Sequence, residues 1–177
     1  MNPIQVPRRD QVSPANQAIF DQLHGQLGFV PNLYATFALS GHALATYLAL
    51  QGARSSITGK AREVVNLVVS QVNHCEYCLA AHTALGRMVG FSDEQMLEIR
   101  RGTAGLDPRL DALARLARHI AQERGRADPA LLDAFFAAGW TQEQLVDVVM
   151  AVGDKIISNY LHATTQVPVD FPAAPAL

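Results

Sequence analysis

The chain has 177 residues, 49% of them hydrophobic and 17% charged, which fits one globular domain over 1–177 and excludes a disordered or tail-like protein. Its 14 Lys and Arg face 16 Asp and Glu, a formal charge of −2. With no basic run longer than Arg8-Arg9 or Arg100-Arg101, there is no field to neutralise phosphates and no nucleic-acid partner is expected.

From Met1 to Asp10 nothing resembles the apolar core of a secretory leader, so a cytoplasmic location is expected. Beyond it, the chain is rich in alanine, and most apolar segments repeat at helical spacing between capping signals, which predicts an all-α fold. Ser13-Pro14 opens the first helix, with Ile19, Phe20, Leu23 and Leu27 on one face and Gly25 and Gly28 near its end. A second stretch from about Asn32 to Gln51 breaks near Ser40-Gly41. No charged residue occurs from Gln22 to Ala53, yet Pro31, Asn32, Ser40, Gly41, His42 and Gln51 interrupt the apolar pattern, so no membrane association is expected. These helices should lie inside the protein or an oligomer.

Thr58 caps a third helix, from about Gly59 to Asn73. Val64, Val65, Leu67, Val68, Val69 and Val72 make it apolar around most of its circumference, which places it at the centre. A fourth helix begins near Cys75 and runs to about Val89, stopped by Gly90. Ser92 to Gln95 reads as a capping box opening a short helix that ends at Gly102. Asp107-Pro108 and Asp128-Pro129 start helices to about Arg124 and Ala138. Thr141 to Gln144 is a second capping box; the helix it opens carries Leu145, Val148, Val149, Val152, Ile156 and Tyr160 and reaches about His162. The proline-containing tail after Val167 should be irregular.

A phosphate-binding glycine loop, a G-x-S-x-G elbow and an H-E-x-x-H helix are all absent, which leaves the chemistry to Cys75 and Cys78. Two cysteines cannot build a disulfide scaffold; a close pair points to metal binding or redox chemistry in a reducing compartment. At about 100° per residue Cys75, Cys78 and His82 share a helix face, and His82 leans over the turn that holds Cys78, placed to accept its proton. The helix N-terminus favours a thiolate near Cys75. Three readings compete: two structural cysteines, a zinc site completed by His74 or Glu63, and a redox dithiol. Structural zinc wants four ligands, and no second C-x-x-C completes the set. A thioredoxin site would follow a strand, whereas the preceding segment here is helical. Taken alone, Glu63 reads as a surface acid in the first turn of its helix, favoured by the dipole.

Glu63, eleven residues, C-x-x-C, three residues and His82, across two consecutive helices, resembles the core of the alkylhydroperoxidase D and carboxymuconolactone decarboxylase superfamily. The resemblance is strongest from Thr58 to Gly90. It is weaker over 25–56, where Gly28-Phe29-Val30-Pro31-Asn32 is similar to the start of many members, and faint around 148–168. In the alkylhydroperoxidase D branch the corresponding residues form a proton relay around a redox dithiol. The resemblance therefore implies an alkylhydroperoxidase D-like helical fold with catalytic Cys78, Cys75, His82 and Glu63, and closed homo-oligomers, often trimers or hexamers. The decarboxylase branch lacks the dithiol, so the peroxidase-related branch is implied. One departure stands out: Tyr77 occupies the place of a histidine found before the second cysteine in better-known members. With an ordinary pKa near ~10, it is a poor proton shuttle at neutral pH and reads equally as a packing residue. His74 next to Cys75 reads either as a thiolate neighbour or as an exposed helix-end residue. His24, His42, His119 and His162 receive no role, and Trp140, Phe135 and Phe136 read as core or interface.

The expected activity is reduction of a peroxide without cofactor or metal. Cys78, deprotonated by His82, becomes a sulfenic acid, Cys75 condenses with it to a disulfide, and an unidentified thiol reductant restores the pair. The opposite assignment of the cysteines stays open, since Cys75 has the stronger dipole argument. The rival is a non-catalytic redox sensor or assembly module that uses the same dithiol as a switch.

Overall fold

Capping side chains and prolines set most of the helix starts. A computed structural model describes residues 4–177; Met1, Asn2 and Pro3, which open the segment read above for a leader, lie outside the described residues. After a short 3-10 turn at Arg9–Gln11 come α1 (Pro14–Leu27), α2 (Asn32–Phe37), α3 (Ala43–Gln51), α4 (Gly59–Val72), α5 (Glu76–Met88), α6 (Asp93–Arg100), α7 (Pro108–Gln122), α8 (Pro129–Ala137) and α9 (Gln142–Thr165). Among the described residues there is no strand, and no helix is long and apolar enough to cross a membrane.

The caps act largely as the sequence predicts. Ser13 accepts from the Asn16 N–H, Asp107 and Asp128 accept from the first turns of α7 and α8, and Ser92 with Gln95 forms a reciprocal box. Thr141 and Gln144 do the same at α9. Thr58 is different: it stands at the N-cap in extended conformation, but its hydroxyl accepts nothing from α4. At the other end of α1, Gly28 takes φ 82°, a left-handed conformation that costs glycine least. The break near Ser40-Gly41 separates α2 from α3. α9 runs one turn nearer the tail than His162, to Thr165.

Two compact units are present. The first combines the chain up to Arg54 with Leu161–Asp170. In it, buried Asn16 donates its amide to the carbonyls of Ala38 and Ser40, each at 3.0 Å. Asp170 accepts from the first N–H of α2 at 2.7 Å, and Phe37 stacks on Tyr47 at 4.3 Å.

The second unit, Ser55–Tyr160 with Phe171–Leu177, is built around α4. Val64, Val65, Leu67, Val68 and Val69 are fully buried in one cluster with Leu113, Ala114, Leu116 and Ala117 of α7 and Met96 and Ile99 of α6. Phe135 stacks on Trp140 at 5.5 Å, and the Trp140 indole N–H donates to the Arg109 carbonyl, so both belong to this core, whereas Phe136 is partly exposed. α5 approaches α6 at Gly86, where a Cβ would meet the Met96 sulfur at 2.5 Å. That close contact fixes the helix carrying the cysteines against the core.

Candidate active site

The turn from α4 to α5 places the first cysteine. Asn73 ends α4, His74 takes a left-handed φ of 52°, and Cys75 becomes the N-cap of α5, its N–H bonded to the Ser70 carbonyl at 3.0 Å. Its sulfur accepts from the Cys78 N–H at 3.4 Å, the place a Ser or Asp usually fills. Cys78 follows in the first turn and His82 one turn later. Both cysteines are free thiols, buried, and come to 3.0 Å of each other. His74 is exposed, and Tyr77 is buried edge-on against Phe171 at 5.6 Å, so Tyr77 packs.

Glu63 lies inside, not on the surface as its position in the helix alone would suggest. Its Oε2 lies 2.8 Å from Nδ1 of His82, and its Oε1 accepts from the Asn66 amide at 2.9 Å. Burial raises the carboxyl's proton affinity, but His82, Asn66 and Lys155 outweigh it and hold Glu63 below the usual carboxylate range.

The other nitrogen of His82 is taken as well. Lys155 of α9, only 3% exposed, brings Nζ to 2.8 Å from Nε2. The ring nitrogen that the sequence offers to the Cys78 thiol therefore holds a lysine instead, and Cys78 finds its oxygen partner elsewhere, with Ser158 Oγ 3.7 Å from its sulfur. Ser158 also reaches the Lys155 carbonyl at 3.0 Å; its one hydroxyl proton serves either acceptor. Asn159 closes the site, accepting from Asn73 at 2.9 Å and donating to Ser70 at 3.4 Å.

The two thiols are driven apart. Cys75 donates to the Cys78 sulfur, and this, with the positive charge of Lys155, the His82 ring and the Ser158 hydroxyl, overcomes burial and lowers Cys78 to about 5. Cys75 is pushed up by the same hydrogen bond, by burial and by the negative charge on Cys78. One cysteine is a thiolate at neutral pH and its neighbour a thiol, the pairing that nucleophile and resolving group require. Among the described residues, no group of three or more His, Cys, Asp and Glu side chains is arranged to hold a metal.

All four residues predicted from the sequence, Glu63, Cys75, Cys78 and His82, meet here. Those missed are Asn66, Lys155, Ser158 and Asn159. The last three share one face of α9, and a polar stripe at 154, 155, 158 and 159 inside an apolar helix was the signal for them.

Residues 38–119 match the model of the carboxymuconolactone decarboxylase family. The chain is 28% identical to the uncharacterized protein YdfG of Bacillus subtilis (strain 168) over 101 residues, 56% of this chain and 69% of that protein. Its fold matches an uncharacterized peroxidase-related protein with an alkylhydroperoxidase AhpD core from Ralstonia eutropha JMP134 at a TM-score of 0.84, 21% identity, and coverage of 94% and 91% of the two chains. The debrominase Bmp8, solved with 2,3,4-tribromopyrrole, shares the fold at a TM-score of 0.75 and 13% identity, covering 96% of this chain and 90% of that one.

Proposed function

We propose that the chain is a member of the alkylhydroperoxidase D and carboxymuconolactone decarboxylase superfamily, which its family match and its fold support, and that it is a cofactor-free dithiol peroxidase. The observation that carries this reading is the pair of adjacent cysteines with opposite proton affinities. The Cys78 thiolate attacks one peroxide oxygen and the O–O bond breaks. The departing alkoxide takes a proton from solvent and leaves as an alcohol, with Cys78 a sulfenic acid. Sγ of Cys75 then attacks the Cys78 sulfur; its proton leaves with the hydroxyl as water, and a disulfide forms. Two thiols of an external reductant return both cysteines to the reduced state and are themselves oxidised to a disulfide. The cycle suits a reducing compartment such as the cytoplasm.

Depressed proton affinity at Cys78 favours Cys78 over Cys75 as the first nucleophile, against the dipole argument for Cys75. The test is peroxide consumption with a panel of dithiol reductants. Continuous turnover is expected. A single oxidation per chain with no turnover under any reductant would instead make the dithiol a sensor. Reduction of a bromopyrrole with peroxide left untouched would retain the dithiol as an electron donor and overturn the peroxide as its acceptor.

The same reading includes a homo-oligomer, trimer or hexamer. Val146, Val149, Met150, Ile157 and Tyr160 support it, forming an exposed apolar stripe along one face of α9. Light scattering that found a 19.2 kDa particle at every concentration would refute it.

A further inference from the structure

Lys155 is a buried cation of the second unit with, among the described residues, no carboxylate beside it and no oxygen acceptor in its place. Arg62 is paired with Asp154 at 2.6 Å, and buried Arg100 bonds the Gln71 side chain and the Pro175 carbonyl. Among the described residues, no carboxylate lies within ion-pair distance of Lys155, whose hydrogen-bond partner is the His82 ring. A buried ammonium is costly unless something nearby uses its charge.

The proton between Lys155 and His82 can sit on either nitrogen. A lysine ammonium offers three donors and no acceptor, so Lys155 donates and Nε2 accepts. Nδ1 then carries the ring's proton and donates it to Glu63, which accepts at 2.8 Å. This ordering fixes the tautomer through a continuous chain from Glu63 through His82 to Lys155. Ser158, on the same face of α9 and three residues on, stands 3.7 Å from the Cys78 sulfur, which puts the lysine's turn of α9 against the nucleophile.

We propose that Lys155 is a positioning residue of the dithiol site, holding His82 as the neutral Nδ1–H tautomer and supplying the unpaired positive charge that keeps Cys78 a thiolate. It rests on the dithiol reading only in taking Cys78 as the reactive sulfur. The other titratable and charged groups on the surrounding helices do not supply this charge. On α5, Glu76 is exposed, Cys75 stays a thiol, and His82 is the acceptor of the lysine's proton. On α4, Glu63 is negative and Arg62 is committed to Asp154; on α9, Asp154 is the partner of Arg62. α6 meets α5 at Gly86, two turns beyond Cys78, and its Arg100 is turned to Gln71.

The test compares the full-length protein with Lys155→Met, which keeps an unbranched side chain one atom shorter and removes its charge. Thiolate absorbance in the ultraviolet, followed against pH, reads Cys78 without any reagent having to enter the site. The midpoint is expected to rise by about one pH unit or more. A Lys155→Met protein with an unchanged circular dichroism spectrum and an unchanged midpoint would overturn the proposal. Should that variant fail to fold, nitrogen NMR of the wild-type histidine rings decides: a proton on Nδ1 of His82 and a bare Nε2 between about pH 6 and 8 are expected, and a protonated Nε2 overturns it. Neither measurement uses peroxide, so a failure of the peroxidase reading and a failure of this one are told apart.

Discussion

α7 and α9 both lie against α4, with opposite chemistry. α7 presents Leu110, Leu113, Ala114, Leu116, Ala117 and Ile120, all buried, and each large side chain removed from water contributes about 1.5–3 kcal/mol. α9 presents Asp154, Lys155, Ser158 and Asn159 to Arg62, His82, Cys78 and Ser70, and turns Val146, Val149, Met150, Ile157 and Tyr160 outward. On this helix a buried polar seam runs on from buried Val148, Ala151 and Val152, while an apolar stripe faces outward. Ion pairs replaced by apolar residues of the same size often leave a protein no less stable, so stability alone does not account for the α9 seam. The α7 seam holds the unit together, and the α9 seam sets the charges around the dithiol.

The sharpest test of that division is the dithiol itself. Cys78→Ser is expected to abolish the first reaction with peroxide altogether, while Cys75→Ser leaves a Cys78 that oxidises once and then passes to the sulfinic acid without forming an intramolecular disulfide. Intact mass after peroxide treatment separates the two. The reverse pattern would exchange their roles and undo the link between the α9 charges and the nucleophile. Next in size is a change on the α7 side. Leu113→Ala should destabilise the protein by about 2–5 kcal/mol in urea unfolding and leave the thiolate midpoint unmoved. A shifted midpoint would mean that the two seams are not separate.

The contrast also explains what the sequence reveals. Proline at the first helical position, Asp, Ser and Thr caps and glycine stops act locally, within four residues, so the helix boundaries of α1 and α5 to α8 are legible. Cys75, Cys78 and His82 are legible for the same reason, since they lie on about two turns of one helix. Glu63 needed the family resemblance, because nothing within its own helix distinguishes a buried carboxylate from a surface one. Lys155 lies 73 residues from His82, and only the packing of α9 joins them. In α9, the apolar periodicity predicted an inward face that included Val149 and Tyr160, but both are exposed. Val148 and Val152 are buried as that periodicity predicts, together with Ala151, and the polar Lys155 and Ser158 share the inward side because they reach α5.

A smaller effect, read from the α9 side, is the pH dependence of Cys78. Since its proton affinity is lowered to about 5, the thiolate fraction is nearly complete at neutral pH and is lost only as pH falls through that value. The second-order rate of oxidation should therefore be flat from neutral pH to about 5 and fall about tenfold per unit below it. An ordinary thiol would already be losing rate below about 8.5. Stopped-flow oxidation followed by the loss of thiolate absorbance gives the profile, and a midpoint near the ordinary thiol value would remove the α9 charges from any role in activation.

The smallest expected effect is on Glu63, one step further from the sulfur, and its sign follows from its surroundings. Its carboxyl is held below the ordinary range in the folded protein, so ionised Glu63 stabilises the fold at pH values above the unfolded carboxyl's ~4.3, and this contribution is lost as pH falls through both values. Glu63→Gln removes it. The amide can accept through one atom only, yet the site offers two donors, Nδ1–H of His82 and the Asn66 amide. One donor is left facing an NH2 group, at a cost of about 1–3 kcal/mol at neutral pH. Because the wild type loses its advantage in acid, urea unfolding curves of the two proteins should converge as pH falls below about 4. The thiolate midpoint of Cys78 should move less than in Lys155→Met, because Lys155 keeps its charge and Nε2 keeps its donor. A stability difference that held constant into acid would mean that the fold does not depress Glu63 at all, and a wild type that gained on the variant as pH fell would mean that Glu63 is protonated in the folded state, which would reverse the direction of the hydrogen bond on which the His82 tautomer depends.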